Sequence, residues 1–256
     1  MTISIKNSTY ALLLAALLLI LGAAVPAKQM VKLPSEILNL KNWKLNVPEG
    51  IKAPGTSDEY RQPELNTYQN DKWFYANKSG NAVVFRAITG GTTTKGSGYP
   101  RSELREMTDD GRKNASWSSS IGTHTLFIDQ SITHLPLKKP HIVIGQIHDA
   151  EDDVIVFRLE KNKLFVKMDD EKGPVLDENY QLGTRFNVMF KVKNDKTECY
   201  YNGMLKFSYP KAFNGAYFKA GAYVQSSCQG KRKVNGESCE AYGAVEIYNV
   251  WVKHED

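Results

Sequence analysis

Three short stretches carry side chains able to move a proton beside a carboxylate. Gln146 and His148 end an otherwise apolar run, residues 141–148, and share one strand face. Arg101, Glu103 and Arg105 share another, with Ser102 and Leu104 facing away. Along residues 217–225, Tyr217, Lys219, Tyr223 and Gln225 alternate with Phe218, Ala220, Ala222 and Val224, and Gly221 stands in the middle. Guanidinium groups match a carboxylate in bidentate fashion. An imidazole and a phenol can take and give protons. Each stretch also has a plain reading. These are a half-buried strand with a wet face, a ladder of weak surface ion pairs, and a structural histidine. It is their combination that points to chemistry.

The combination also excludes. Serine hydrolysis lacks a nucleophile elbow. Glycoside hydrolysis needs two carboxylates flanking the bond, and only Glu103 joins the polar set. Lying between two arginines, Glu103 stays ionised and makes a poor acid. What remains is proton abstraction next to a carboxylate.

Strands must position these groups. The stretch 42–48 alternates and stops at Pro48, and 82–88 closes at Gly90 and Gly91. Further strands are expected over 101–107, 124–132, 141–148, 154–159, 163–168, 186–192, 198–201, 204–209, 217–225 and 244–252. Asn202-Gly203 is a strong two-residue hairpin turn. Residues 49–70 read as turns and 92–98 as a flexible segment. Many short strands with almost no helical period imply an all-β fold, a single-domain antiparallel sandwich or barrel. A mid-strand glycine marks a place where something approaches the backbone closely.

The chain has 256 residues and a formal charge of +5. Residues 1–27 read as a secretory signal peptide, with an apolar run over 11–24 and small residues up to Ala27. An uncleaved anchor is the alternative; the run is short for a span. Residues 28–256 are then the mature domain, secreted, with no stable membrane span after cleavage. Export and the lack of a long Lys/Arg block argue against nucleic acid; mild basicity suits an acidic partner. Cys228 and Cys239 bracket a polar loop and are paired as a disulfide, worth about 3 kcal/mol on the chain-entropy model. Cys199 reads as a buried free thiol. The acidic run 149–153 lacks the spacing of a calcium loop and reads as a solvated turn. No zinc spacing is present.

Arg-Ser-Glu-Leu-Arg at 101–105, Gln-Ile-His at 146–148 and Tyr-Phe-Lys-Ala-Gly-Ala-Tyr-Val-Gln at 217–225 resemble the three signature blocks of the alginate lyases of polysaccharide lyase family 7. The opening Asn-Trp-Lys-Leu at 42–45 and the closing strand are similar too. The last block departs at Val224, where asparagine is common; Val224 should face the core.

The resemblance implies a β-jelly roll whose concave sheet holds alginate or a related anionic polysaccharide, without metal or organic cofactor; a monomer is expected. It implies β-elimination. Arg101 and Gln146 would neutralise the substrate carboxylate, His148 would be the base, and Tyr223 the acid or both. Glu103, Arg105, Lys219 and Gln225 would line sugar subsites, with Tyr217 beside them. Ile147 in the middle block implies a preference for guluronate-containing blocks. Two rivals stand beside this: a non-catalytic carbohydrate-binding β-sandwich, and a β-glucanase, whose Glu-x-Asp-x-x-Glu acid pair is missing.

Overall fold

Alternation of apolar and polar residues is realised strand by strand in a computed structural model that describes Met1 and residues 32–169 and 171–256. The signal-peptide reading falls on residues almost wholly outside those described. The strands are β1 (Trp43–Val47), β2 (Asp58–Tyr60), β3 (Phe74–Ala76), β4 (Val83–Ile88), β5 (Arg101–Thr108), β6 (Lys113–Asn114), β7 (Thr123–His134) and β8 (His141–His148). They continue with β9 (Asp153–Glu160), β10 (Lys163–Met168), β11 (Glu171–Asp177), β12 (Arg185–Lys193), β13 (Lys196–Tyr201), β14 (Met204–Pro210), β15 (Tyr217–Val224) and β16 (Tyr242–Glu255). Three short 3-10 helices, Pro34–Glu36, Glu64–Asn66 and Gly230–Arg232, are the only helices among the described residues. None is long and apolar enough to cross a membrane.

Two antiparallel sheets pack face to face as a jelly-roll sandwich. One runs β11-β10-β9-β8-β15-β5-β1-β2, with β6 on the end of β5; the other runs β14-β13-β12-β7-β16-β4-β3. The expected all-β class is therefore what forms. The two inner faces meet in one hydrophobic core. Phe157 of β9 stacks on Phe190 of β12 at 4.0 Å between ring centroids, tying the sheets together. Asn202 and Gly203, with φ of 49° and 77°, make the tight turn joining β13 to β14.

The three chemical stretches become central neighbours. β15 lies between β8 and β5, and β1 flanks β5. Gly221 explains part of the fit. Its φ is +143°, and an added Cβ would meet Ser102 O at 2.5 Å and Glu103 Cα at 2.8 Å. The close approach anticipated there comes from strand β5, not from a ligand.

Cys228 and Cys239 are joined, with Cα atoms 5.1 Å apart. Cys199 is free and buried, and burial pushes its thiol pKa up.

Candidate active site

On the outer face of the β15 sheet lies a cavity of about 440 Å³. Register fixes its floor. Lys44 of β1 pairs with Arg105 of β5, Arg105 with Lys219 of β15, and Lys219 with Gln146 of β8. Three cations and an amide thus form one row across adjacent strands about 4.8 Å apart. A parallel row holds Asn46, Glu103 and Gly221. Tyr223 stands opposite Arg101, and Tyr217 opposite His148.

Eight of the nine residues expected in the groove line this cavity: Arg101, Glu103, Arg105, Gln146, His148, Tyr217, Lys219 and Tyr223. Gln225 does not. It is buried beside Arg158, whose Nη1–H reaches its Oε1 at 3.4 Å. Lys44, Asn46, Glu59 and Ser97 also line the cavity and were not singled out from sequence. Lys44 and Asn46 alternate visibly along 42–48, which was the available signal. Glu59 and Ser97 sit in stretches read as turn and loop.

Glu103 organises the centre. Arg101 Nη1–H donates to its Oε2 at 2.9 Å, and Gln146 Nε2–H donates to its Oε1. A buried carboxylate accepting from two donors this way fixes both partners. The Arg101 guanidinium also lies 3.8 Å from the Tyr223 ring centroid, while its Nε–H is buried without a partner among the described residues. An unpaired donor on a buried cation leaves the site short of one acceptor.

His148 accepts nothing at Nδ1. That nitrogen lies 2.8 Å from the Asp149 carbonyl and so carries the proton, leaving Nε2 as the free base. The ring stacks on Tyr217 at 5.2 Å. Burial, then Lys219 and Arg101, pull its pKa down to about 4, so the imidazole is neutral at physiological pH.

Lys219 is 8 % exposed, and burial followed by repulsion from Arg101 lowers its pKa to about 7, against a pull upward from Glu103. Lys44 is also lowered by burial, offset by its 2.7 Å pair with Glu59. Arg105 covers the Tyr217 ring at 3.8 Å. Burial raises the Tyr217 phenol.

Glu151, Asp152 and Asp153 line one rim. Asp149 Oδ1 accepts the N–H groups of Glu151 and Asp152, which closes the acidic run into a turn. Among the described residues no group of three or more His, Cys, Asp or Glu could hold a metal ion.

This geometry has close counterparts. A family model described as alginate lyase matches residues 38–254. The fold is similar to a solved alginate lyase, AlgAT5, from polysaccharide lyase family 7. The two are 52 % identical with a TM-score of 0.83, over 88 % of this chain and 100 % of that one. A solved alginate lyase from Corynebacterium sp. is 43 % identical, with a TM-score of 0.82 over 88 % of this chain and 99 % of its own. A curated alginate lyase from Klebsiella pneumoniae is 28 % identical over 166 residues, 55 % of this chain and 53 % of that protein. The match thus spans about half the length of this curated relative.

Proposed function

Since this chain belongs to the alginate lyases of polysaccharide lyase family 7, we propose that it cleaves the 1,4-glycosidic bond of alginate by β-elimination. The observation that carries this is the unprotonated His148 Nε2 and the Tyr223 phenol lining one cavity floored by a row of cations.

In this reading a uronate carboxylate takes the place open beside Arg101 and Gln146. Its charge is neutralised there, which stabilises the enolate-like charge that develops when the C5 proton leaves. His148 Nε2 takes that proton. The C5–H electron pair becomes the C4–C5 double bond, and the C4–O bond breaks. Tyr223 gives its proton to the departing oxygen. A base with pKa about 4 holds a proton weakly, but Lys219 and Arg101 cause part of that depression. A bound carboxylate offsets both cations and makes His148 more basic when the substrate is in place. Arg105, Lys219, Glu103 and Tyr217 line neighbouring subsites, and Gln225 contributes from beyond the cavity's edge. No metal or organic cofactor enters a step.

Guluronate-containing blocks are the preferred substrate. In guluronate the C5 proton and the leaving oxygen lie on opposite sides of the ring, which suits a separate base and acid on two strands. Ile147, which distinguishes the middle block, is fully buried and pairs with Phe218 and Ile155. It acts only through the packing beneath His148. The same reading takes residues 1–27 as a signal peptide and 28–256 as a secreted, monomeric catalytic domain.

The test is to mix the protein with alginate and follow the ultraviolet absorbance of the conjugated unsaturated uronate. Its appearance is expected. Binding without absorbance would leave the carbohydrate-binding sandwich instead. Rates on purified polyguluronate and polymannuronate decide the preference; faster cleavage of polymannuronate overturns it.

A further inference from the structure

Among the described residues the Tyr223 hydroxyl has one hydrogen-bond partner, Ser97, in the loop that precedes β5; their oxygens are 3.0 Å apart. Ser97 Oγ is itself fully engaged. Arg101 Nη2–H donates to it at 3.0 Å, and the Tyr99 backbone N–H at 3.2 Å. A serine hydroxyl has two lone pairs and one proton. With both lone pairs occupied, only the proton is left. Its two acceptors are the Tyr99 carbonyl at 3.1 Å and Tyr223 Oη at 3.0 Å. Ser97 thus has no acceptor site left for the phenol, so it meets Tyr223 with its one proton shared between the Tyr99 carbonyl and Tyr223 Oη, and the phenol's own proton points elsewhere.

The loop that carries Ser97 is fastened. Its N–H donates to Thr94 O at 3.0 Å. Arg232 packs over Gly98, where an added Cβ would come within 2.4 Å of Arg232 Cγ. Lys139 Nζ donates to Tyr99 Oη at 2.9 Å. The arrangement holds the hydroxyl still relative to β5 and β15.

We propose that Ser97 is a positioning residue for the acid of the elimination. By donating to Tyr223 Oη it turns the phenolic proton toward the leaving oxygen, and it holds the oxygen after that proton has gone. The proposal rests on the reading of Tyr223 as proton donor. The covalent balance is unchanged: the phenol O–H bond breaks, the proton goes to the glycosidic oxygen, and the Ser97 proton stays on Ser97. Arg101 gains a second task, because the donor it places on Ser97 fills a lone pair to which the phenol would otherwise donate.

The experiment compares Ser97→Ala, Ser97→Thr and Tyr223→Phe, with the two changes Ser97→Ala and Tyr223→Phe also combined. Steady-state kcat and KM on alginate are the readout. Losing one hydrogen bond to a group that ionises should lower kcat about 10- to 100-fold in Ser97→Ala. KM should stay within about twofold, because the side chains assigned to the substrate carboxylate are unchanged. Ser97→Thr keeps the hydroxyl and should recover most of kcat. In the Tyr223→Phe background the Ser97 change should cost nothing further. Wild-type kcat in Ser97→Ala, with Tyr223→Phe inactive, overturns the proposal and leaves the acid assignment standing. A loss confined to KM, or one that Thr does not restore, makes Ser97 a loop-packing residue and overturns it too. Substantial turnover in Tyr223→Phe removes the acid assignment and this inference with it.

Discussion

Strand β5 carries a buried carboxylate on each of its faces, and the two have opposite fates. Glu103 faces the groove, and Glu106 faces a second cavity of about 460 Å³ at the end of the strand. The second cavity also holds a connected set of acid–base groups. Glu106 Oε1 lies 2.6 Å from His254 Nε2, and His254 Nδ1 lies 2.6 Å from His124 Nδ1. Each of these three side chains is committed. His124 Nε2 faces the carbonyls of Ile121 and Ser118 and must carry a proton. One further proton sits between the two Nδ1 atoms, and one between His254 and Glu106. Glu106 Oε2 accepts from Trp117 Nε1 and Phe218 N. The chain of hydrogen bonds is closed, so it has nothing to offer a substrate. Around Glu103 the reverse holds: His148 Nε2 is unprotonated, Arg101 Nε–H is unpaired and the Lys219 amine is poised near neutrality. Uncommitted donors and acceptors separate a site from a structural network.

The sharpest way to break this comparison is Tyr223→Phe. The ring keeps its place under Arg101 and loses only its proton. Turnover should fall about 100- to 10,000-fold, with alginate binding and thermal stability nearly unchanged. Near-wild-type turnover would put the chemistry elsewhere.

The counterpart on the other face is Glu106→Gln. It removes the charge that His254 answers and disturbs a chain with no spare proton. The expected loss is about 2 kcal/mol of stability, or roughly 4–8 °C in Tm for a domain of this size. Turnover per folded molecule should be unaltered. A variant that stays fully stable but loses activity would make the second cavity the working one.

How much of this was legible follows from period and distance. Alternation exposes a face, so β5, β8 and β15 and their polar residues could be read directly. It cannot say which strand lies beside which. That is why Lys44 and Asn46, alternating in plain view, were not joined to Arg105 and Glu103. β2 and β3 are three residues long, too short for any period to register. β11 carries Gly173 and Pro174 and is largely exposed at a sheet edge, where little packing constrains composition. Ser97 sits among threonines and glycines in a loop, and its role is set by a contact 126 residues away. Glu106 shows the same limit. Its position next to Arg105 says only that it points the other way.

Salt gives a smaller effect. A polyanion meeting Lys44, Arg105 and Lys219 loses attraction as ions screen the partly open groove, whose Debye length is about 8 Å at physiological strength. KM should rise severalfold from low to high ionic strength, while the stability supplied by the closed Glu106 chain should change little. A KM flat against added salt would contradict a charge-led groove.

The mildest effect comes from the pH dependence of Lys219, which sharpens the comparison most. Burial first, then Arg101 and Arg105, lower its pKa from 10.5 to about 7. Below that value the amine is charged and attracts a uronate; above it the attraction fades. His148 must be neutral, and so sets a lower limb near pH 4. The kcat/KM of the wild type, which reports the free enzyme, should climb through about pH 4 and decline severalfold above about pH 7. Stability runs the other way. Between about pH 7 and the unfolded value near 10.5, the unfolded chain binds more protons at Lys219 than the folded one, so this residue's contribution to stability rises with pH. A fall in kcat/KM with no fall in Tm therefore belongs to the groove and not to unfolding. Lys219→Met keeps the stem and removes the titration. Its plateau should be lower and its upper limb flat. If the decline above pH 7 persists unchanged in that variant, another group controls it, and Lys219 is a buried packing residue on the groove floor.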